Sequence, residues 1–546
     1  MASTPTSKSQ VQAYRFVLRR MESALVRKDA VMLHDPMRTH KRATVIGVLI
    51  GVVILIGFLV VGIFKPAASL PADSTSIVIA QPSGQVYVLD QNPRQLIPVF
   101  NLTSARLLML AMTSSSNGSA SAPNPTVVSD TELAGVPMGR LTGIPDGPQA
   151  LPNPSTASTT WSVCDAIPTD TSQPDQGINN TPVSTAMVGQ SSIGNDLPDG
   201  QALLARSTDG NEYLIYHKTT DVNQVNNSAV VAQVDTTDPA VTSALLNGQS
   251  LGAATTPRKI SAALLNAIPK VGAIQDPFQA KGISTGSHSS GAGDFTVGET
   301  FESQNQDNSI SNYAVLPDGV QQVSQTVAQI LAAKYDRTNI APVPAATLST
   351  FNVIKTDELG VADYPGTLTK VIAANVDPVV CLGWTADYSQ EQPAIDTRVT
   401  VATQPQLPTD SNNAQVTPLK LGQVGPNGIK VDQFVMDPKS LSLGVAVRSV
   451  TNPQEFNTGP ITLLTPRGVA YSIDSVTTAQ GLGVANSTQS AAGPFGLFPA
   501  PASILGLLPV GAETLNTTNV QRTFDSVQVP QTEGQYTAVT TTTGGA

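Results

Sequence analysis

Few residues of this chain are spaced for chemistry. Gly282-Ile283-Ser284-Thr285-Gly286 has the letter pattern of a hydrolase nucleophile elbow. That elbow needs a buried strand before the serine and a helix after it. Here Asp276-Pro277-Phe278-Gln279-Ala280-Lys281 precedes it, a Ser/Gly run follows, and His288 is the only later histidine. The order serine, acid, histidine fails, and the string reads as a flexible loop. Nucleotide chemistry fares no better, because the G-x-x-x-x-G-K-[ST] phosphate cradle is missing. Its nearest approximation, Gly425-Pro426-Asn427-Gly428-Ile429-Lys430, has the wrong spacing, and Pro426 lacks an N–H that a cradle needs. His34, His40, His217 and His288 form no H-E-x-x-H pattern. No catalytic residue, metal ligand or cofactor site is therefore assigned.

What must position everything else is one apolar run, Ala43 to Phe64, about 22 residues without a charge. A bilayer core takes about 20 helical residues to cross. The other apolar stretch, Pro494 to Val510, is shorter and is broken by Pro499, Pro501 and Pro509. One crossing is expected. Residues 1–42 carry nine Lys/Arg against Glu22, Asp29 and Asp35, a balance of +6, whereas the whole chain is −10. Arg38, Lys41 and Arg42 directly precede the run, and only Lys65 follows it closely. Positive flanks stay in the cytoplasm, so the N-terminus is expected inside and the large remainder outside. A cleaved signal peptide has an apolar core of about 7–15 residues and a small-residue cleavage site. Phe64-Lys65-Pro66 does not fit one, and an uncleaved anchor is expected.

Cys164 and Cys381 are the only cysteines. On this topology both lie outside, where thiols are commonly oxidised. One intramolecular bridge is the simple expectation, with two buried free thiols as the alternative. Neither has a close His or Cys neighbour of the kind a zinc site needs. The charged fraction is 13%, about half the usual quarter, and Gly and Pro number 42 and 41. This is a turn-rich chain of short strands and brief helices. The acidic external part argues against nucleic-acid binding.

Before the anchor, Ser9 and Gln12 resemble a capping box. Val11, Tyr14, Leu18, Met21 and Leu25 then recur at spacings of three and four, with Arg15, Arg19 and Arg27 largely on other faces. This predicts an amphipathic basic helix, ended before His34-Asp35-Pro36. Two readings stay open. The stripe of Val11, Tyr14, Leu18 and Met21 docks on a cytoplasmic partner subunit, or the helix lies on the anionic inner leaflet.

After the anchor the chain repeats itself loosely. A short strand, a turn and a small Ser/Ala-x-Leu-Leu helix recur four times. The strands are Val86-Tyr87-Val88-Leu89, Glu212 to Tyr216, Tyr313 to Leu316 and Val469 to Ile473. The helices are Leu102 to Leu108, Ile260 to Leu265, Val323 to Leu331 and Pro501 to Leu508. A Pro-x-Gly-Val turn recurs at Pro317-Asp318-Gly319-Val320 and Pro466-Arg467-Gly468-Val469. Such spacing suggests several similar small α/β units. Trp161-Ser162-Val163-Cys164 and Cys381-Leu382-Gly383-Trp384 mirror each other between the copies. The simplest arrangement is two related halves, each a repeat, a central segment and a second repeat. The bridge would staple the central segments, with both tryptophans covering it. Ser114 to Asn124, Pro152 to Thr160 and Gly282 to Gly293 look like surface loops. The expected organisation is a cytoplasmic segment 1–42, a transmembrane helix 43–64, an extracytoplasmic α+β region 65–530 and a disordered tail 531–546.

Several of these strings resemble the EccB component of ESX (type VII) secretion systems. They include Val11-Gln12-Ala13-Tyr14-Arg15-Phe16, Met32-Leu33-His34-Asp35-Pro36-Met37-Arg38 and the anchor. Pro98-x-x-Asn101-Leu102-Thr103-Ser104-Ala105-Arg106-Leu107, Leu141-x-Gly143-Ile144-Pro145 and Val163-Cys164-Asp165 follow in family order. So do Asp318-Gly319-Val320-Gln321, Val327-Ala328-Gln329-Ile330-Leu331 and the Cys381/Trp384 segment. The resemblance implies a single-pass inner-membrane protein whose periplasmic domain has four repeats around a central mainly-β domain. It implies partnership with EccC, EccD, EccE and a mycosin protease, and self-association with other EccB copies. The Thr-rich tail after about Leu515 matches nothing in the family, and the loop Asp221 to Thr237 looks expanded. Family members also carry the name of nucleotide-hydrolysing enzymes, so ATP is implied by the resemblance and by no motif here. A structural and assembly subunit is the leading expectation. A peptidoglycan-binding module and a nucleotide hydrolase without a Walker A motif are the alternatives.

Overall fold

The computed structural model describes residues 7–28, 36–63, 69–113, 124–170, 172, 180–218, 228–246, 256–335, 340–388, 393–488 and 494–527. The tail 531–546 and the loop 114–123 lie outside them. Two compact units result, Met1–Ser69 and Leu70–Ala546.

The first unit is two helices. Helix α1, Lys8–Arg27, is capped by Ser7, whose hydroxyl accepts the Gln10 N–H while the Gln10 side chain accepts the Ser7 N–H. The reciprocal cap therefore sits two residues before the Ser9/Gln12 pair. Ser7 and Gln10 have the same spacing of three, and using them adds half a turn; the Ser9 hydroxyl meets that of Ser7 instead. Helix α2, Pro36–Ile63, opens on a proline, whose missing N–H has no helical partner at that position anyway. It takes in Arg38, Lys41 and Arg42, so the basic flank and the apolar run form one helix of 28 residues. Described side chains within α2 cover residues 42–58, and among the described residues no helix is long and apolar enough to cross a membrane.

The second unit contains four copies of one topology. Each is an antiparallel three-stranded meander, then a helix, then a strand returning parallel to the first meander strand, then a segment running parallel to the third. Copy 1 uses Ser76–Gln81, Val86–Gln91 and Arg94–Val99, helix α3 at Leu102–Thr113, then Thr126–Ser129 and Leu141–Thr142. Copy 2 uses Gln201–Arg206, Glu212–Lys218 and Ser228–Val234, helix Pro239–Leu245, then Arg258–Lys259 and Lys270–Ile274. Copy 3 uses Thr300–Gln304, Ile310–Leu316 and Gly319–Val323, helix Gln325–Lys334, then Ala341–Pro342 and Val353–Ile354. Copy 4 uses Val445–Val450, Ile461–Leu464 and Ala470–Ile473, helix Val476–Leu482, then Phe498–Pro501 and bridges from Ala470 to Val510 and Ile473 to Leu515.

A short helical turn follows the first returning strand in every copy: Asp130–Leu133, Ala262–Ala267, Ala345–Leu348 and Ala502–Leu505. This corrects the expected repeat. The Ser/Ala-x-Leu-Leu signature marks the long helix in copies 1 and 3 but this second, short helix in copies 2 and 4. The long α3 and Gln325–Lys334 and the short Ala262–Ala267 and Ala502–Leu505 all bury leucine or isoleucine side chains, so the signature cannot tell the two positions apart. The Pro-x-Gly-Val turn does occupy one equivalent place, the second hairpin of copies 3 and 4. Of the segment expected as an expanded loop, residues 228–234 are the third strand of copy 2 and residues 221–227 lie outside the described set.

The copies pair out of chain order. Copy 1 packs on copy 4, with Leu107, Ile77 and Val88 against Leu463, Tyr471 and Leu482. Copy 2 packs on copy 3, with Leu214, Tyr216 and Val241 against Val327, Ile330 and Leu331. The central sheet runs Leu419–Lys420, Gln433–Met436, Val183–Val188, Trp161–Ala166, Val379–Asp387, Ala394–Ala402 and Asn195–Asp196. It buries one face on copies 2 and 4, through Leu203, Ile215 and Val231 of one and Val445, Val447 and Ile504 of the other. The outer faces of the end copies are closed locally, by Leu70, Leu133 and Val136 in copy 1 and by Phe295, Phe351 and Ala292 in copy 3. The expected surface loop over 282–293 is irregular and mostly exposed, and the last cluster anchors it at two points. Ser289 and Ala292 are buried, and the Ser289 hydroxyl donates to the Leu316 carbonyl at 2.6 Å.

Candidate interaction surfaces

The centre of the molecule is the ladder between Trp161–Ala166 and Val379–Asp387. Its register sets Cys164 opposite Cys381 and Trp161 opposite Trp384. The mirrored order of the two strings is what antiparallel pairing requires to bring like residues together. Cys164 and Cys381 are joined in a disulfide, with Cα atoms 3.9 Å apart. The tryptophans do not cover it. Three residues along a strand is an odd step, and side chains alternate faces with period two. The bridge therefore lies among Met187, Ile193, Val379 and Val435, while both tryptophans lie on the opposite face against copies 2 and 4.

Polar ties fix the copies to this sheet. Asp165, next to the bridge, points its carboxylate at Ser261, the N-cap of the short helix of copy 2. It accepts the Ser261 N–H and hydroxyl, both at 2.6 Å. Burial pushes its pKa up to about 6, against the lowering effect of those bonds and of Arg258. Arg258 is itself pushed down to about 10 by burial, and donates to the carbonyls of Asp377 and Pro378 at 3.1 and 2.9 Å. On the other side Ser184 and Asp432 exchange bonds, with the Ser184 N–H and hydroxyl donating to the carboxylate at 3.0 and 2.8 Å. These ties were not singled out from sequence. The available signal was an aspartate beside a cysteine in an otherwise apolar strand.

The motif-like strings are occupied by structure of another kind. Gly282 is the left-handed C-cap of Pro277–Lys281, so a helix precedes Ser284 where an elbow needs a strand. His288 bridges Thr296 in a local turn. In the loop from Gly425 to Lys430, the Gly425 N–H donates to the Ile429 carbonyl and the Gly428 N–H to the Gly425 carbonyl, so the donors close a turn rather than a cradle. No group of three or more His, Cys, Asp or Glu capable of holding a metal occurs among the described residues. The segment 152–160 walls a cleft of about 470 Å³ whose other side is 440–445, lined by Ser, Thr, Pro and Leu without a charged side chain.

Exposed large apolar side chains crowd both α1 and the described part of α2, from Val45 to Phe58. Val11, Tyr14, Leu18 and Met21 are 40%, 67%, 46% and 58% exposed, and Phe16, Val17, Leu25 and Val26 add to them. Arg42 is exposed on α2; the side chains of Arg38 and Lys41 lie outside the described residues.

Comparison with known proteins agrees with this architecture. Residues 3–529 match the family model "Type VII secretion system ESX-1, transport TM domain B". The ESX-1 secretion system ATPase EccB1 of Mycolicibacterium smegmatis is 30% identical over 509 residues, 93% of each chain. The ESX-3 secretion system ATPase EccB3 of Mycobacterium tuberculosis is 30% identical over 385 residues, 69% of this chain and 66% of that protein. Among solved structures, a chain of an intact ESX-5 inner membrane complex superposes with a TM-score of 0.64 at 23% identity, covering 98% of this chain and 99% of that one. A chain of the EccB3 dimer from the ESX-3 core complex gives 0.61 at 23% identity, covering 82% and 100%. A family match over nearly the whole length establishes that this chain belongs to the EccB family of type VII secretion systems.

Proposed function

We propose that this protein is a membrane-anchored structural subunit of a type VII secretion complex, self-associating through its large external unit. The observation that carries the reading is end-to-end agreement of its fold with a chain of an ESX inner membrane complex. Helix α2 is the anchor. Its apolar part, residues 43–63, reaches about 32 Å at about 1.5 Å per residue, enough for a hydrocarbon core of about 30 Å. The basic flank of Arg38, Lys41 and Arg42 keeps the N-terminus in the cytoplasm and puts residues 70–527 in the periplasm. Helix α1 docks on a cytoplasmic partner through Val11, Tyr14, Leu18 and Met21. Partners of the EccC, EccD, EccE and mycosin types, and further EccB copies, complete the assembly. No phosphate cradle supports nucleotide hydrolysis in this chain, although relatives are named as ATPases.

The test is the size of the detergent-extracted assembly. Native electrophoresis should show the parent in a large complex. Leu18→Asp with Met21→Asp should leave the chain in the membrane and disperse the complex, since each unpaired buried charge costs several kcal/mol. Normal assembly of the double variant would remove α1 as the docking surface and favour its lying on the leaflet. A phosphatase fused after residue 70 should be active; silence there would reverse the orientation.

A further inference from the structure

We propose that His217 is a proton-operated clasp that holds copy 2 on the outer edge of the central sheet. The strand Ala394–Ala402 pairs along one edge with Val379–Asp387. On its other edge the short strand Asn195–Asp196 reaches only Thr400 and Val401, and Leu197 adds one bond to the Val399 carbonyl. Copy 2 supplies what is missing. The Ala229 N–H donates to the Thr397 hydroxyl at 3.1 Å, and the Val399 N–H donates to His217 Nε2 at 2.9 Å. A side chain thus stands where a neighbouring strand would have placed a carbonyl.

This contact exists in one protonation state. Nε2 accepts, so it carries no proton, and the neutral ring holds its proton on Nδ1, which is buried near the Leu197 backbone without a well-formed hydrogen bond. A second proton would set an Nε2–H against the Val399 N–H, two donors face to face, and the ring would have to turn away. The groups around the ring give it somewhere to turn. Asp199, Asp196 and Asp396 favour the charged form, as does the Leu197 backbone. Arg398, on the strand itself, lies 3.7 Å from Asp196, and Lys218, next to His217, is paired with Asp363. Burial outweighs the carboxylates and holds the ring below the usual histidine range, so it is neutral near pH 7. Acidification gives up the Val399 amide and leaves the imidazolium in the favourable field of Asp199, Asp196 and Asp396. Such an exchange is what makes a histidine a switch rather than a weak point.

Amide hydrogen exchange of the full-length protein in detergent tests this, followed in the segment 394–402 and corrected for the intrinsic pH dependence of exchange. Protection of Val399 should hold at neutral pH. It should then fall about tenfold per pH unit below a midpoint under the usual histidine range, because one proton is taken up per release. His217→Gln keeps an acceptor and cannot titrate, so its protection should stay flat across that range. The same acid response in parent and His217→Gln, or none in the parent down to about pH 4.5, overturns the clasp. If His217→Gln does not fold, Asp196→Asn with Asp199→Asn decides. Removing two charges that favour the imidazolium should move the release midpoint to lower pH, and an unmoved midpoint overturns the proposal.

Discussion

Severing the bond between Cys164 and Cys381 should cost a definite amount, because the loop it closes is one of the longest the chain offers. The cysteines are 217 residues apart. The chain-entropy treatment of a cross-link gives about 5 kcal/mol for a loop of that size. The unit that begins at Leu70 has roughly 450 described residues and unfolds with about 2.1 cal/mol/K per residue, or about 1 kcal/mol/K in all. A loss of about 5 kcal/mol then lowers the melting temperature by about 5 °C. Cys164→Ala with Cys381→Ala removes the tie together with two buried sulfur atoms, each worth about 1 kcal/mol of packing, so the pair should melt about 5–7 °C lower. The parent refolded in reductant keeps its sulfurs and should lose only the 5 °C or so due to the cross-link. Thermal unfolding of the full-length protein, followed by tryptophan fluorescence, gives both values, with non-reducing electrophoresis confirming the state of the bond. A loss under about 2 °C in both samples would refute the reasoning. It would mean that the six-residue ladder between the two strands persists in the unfolded chain and already removes the freedom the bond is credited with removing.

Three further outcomes follow from the geometry. The folded-state pKa of Asp165, about 6, lies above its unfolded value of about 3.8, so its contribution is full at low pH and is lost as pH rises through 6. Asp165→Asn should flatten that decline, on the order of 3 kcal/mol between about pH 4 and 6; urea midpoints that still fall over the window to the parent's extent would count against it. Trp161 and Trp384 are 1% and 5% exposed, so emission should be blue-shifted and resistant to acrylamide. Trp384→Ala should cost about 3–5 kcal/mol by denaturant titration, and a loss under about 1 would show that the face is not packed as described. Gly291→Ala would place a Cβ on the Asp318 carbonyl oxygen; the clash is with backbone, so a loss of about 1–3 kcal/mol is expected, and unchanged stability would mean that the 282–293 segment is not seated on the turn of copy 3.

Features written in local spacing were legible in the sequence. The heptad-like stripe of α1, the single apolar run and the recurrence of strand, turn and helix are all periodicities of neighbours. The strings around Asn101 and Cys164 carried the family, because they hold residues with one structural use. Asn101, for instance, donates to the Ile144 carbonyl and accepts the Ser104 N–H, closing α3 onto the following loop. What failed was phase and partnership. The face on which Trp161 lies depends on counting by two from Cys164, and once the segment reads as a strand the odd spacing decides it. The confusion of long with short helices in copies 2 and 4 arose because in those copies the short helix also buries leucine and isoleucine side chains. The ties of Asp165 to Ser261 and of His217 to Val399 join residues 96 and 182 positions apart, and no periodicity of a single chain encodes such distances.

The out-of-order pairing of the copies has a consequence for how the chain is made. Copies 2 and 3 are consecutive, so their shared core can close as soon as residues near 370 have emerged. Copy 1 emerges first yet packs on copy 4, and its edge strand Leu141–Thr142 is completed by Thr523–Phe524, with Arg140 bonded to Asp525. Copy 1 must therefore wait, with the apolar face of α3 uncovered, until residues near 525 arrive. Synthesis at about 5–20 residues per second makes that interval tens of seconds. The lobe of copies 1 and 4 is thus the last to mature, and any subunit that recognises it inspects a finished chain.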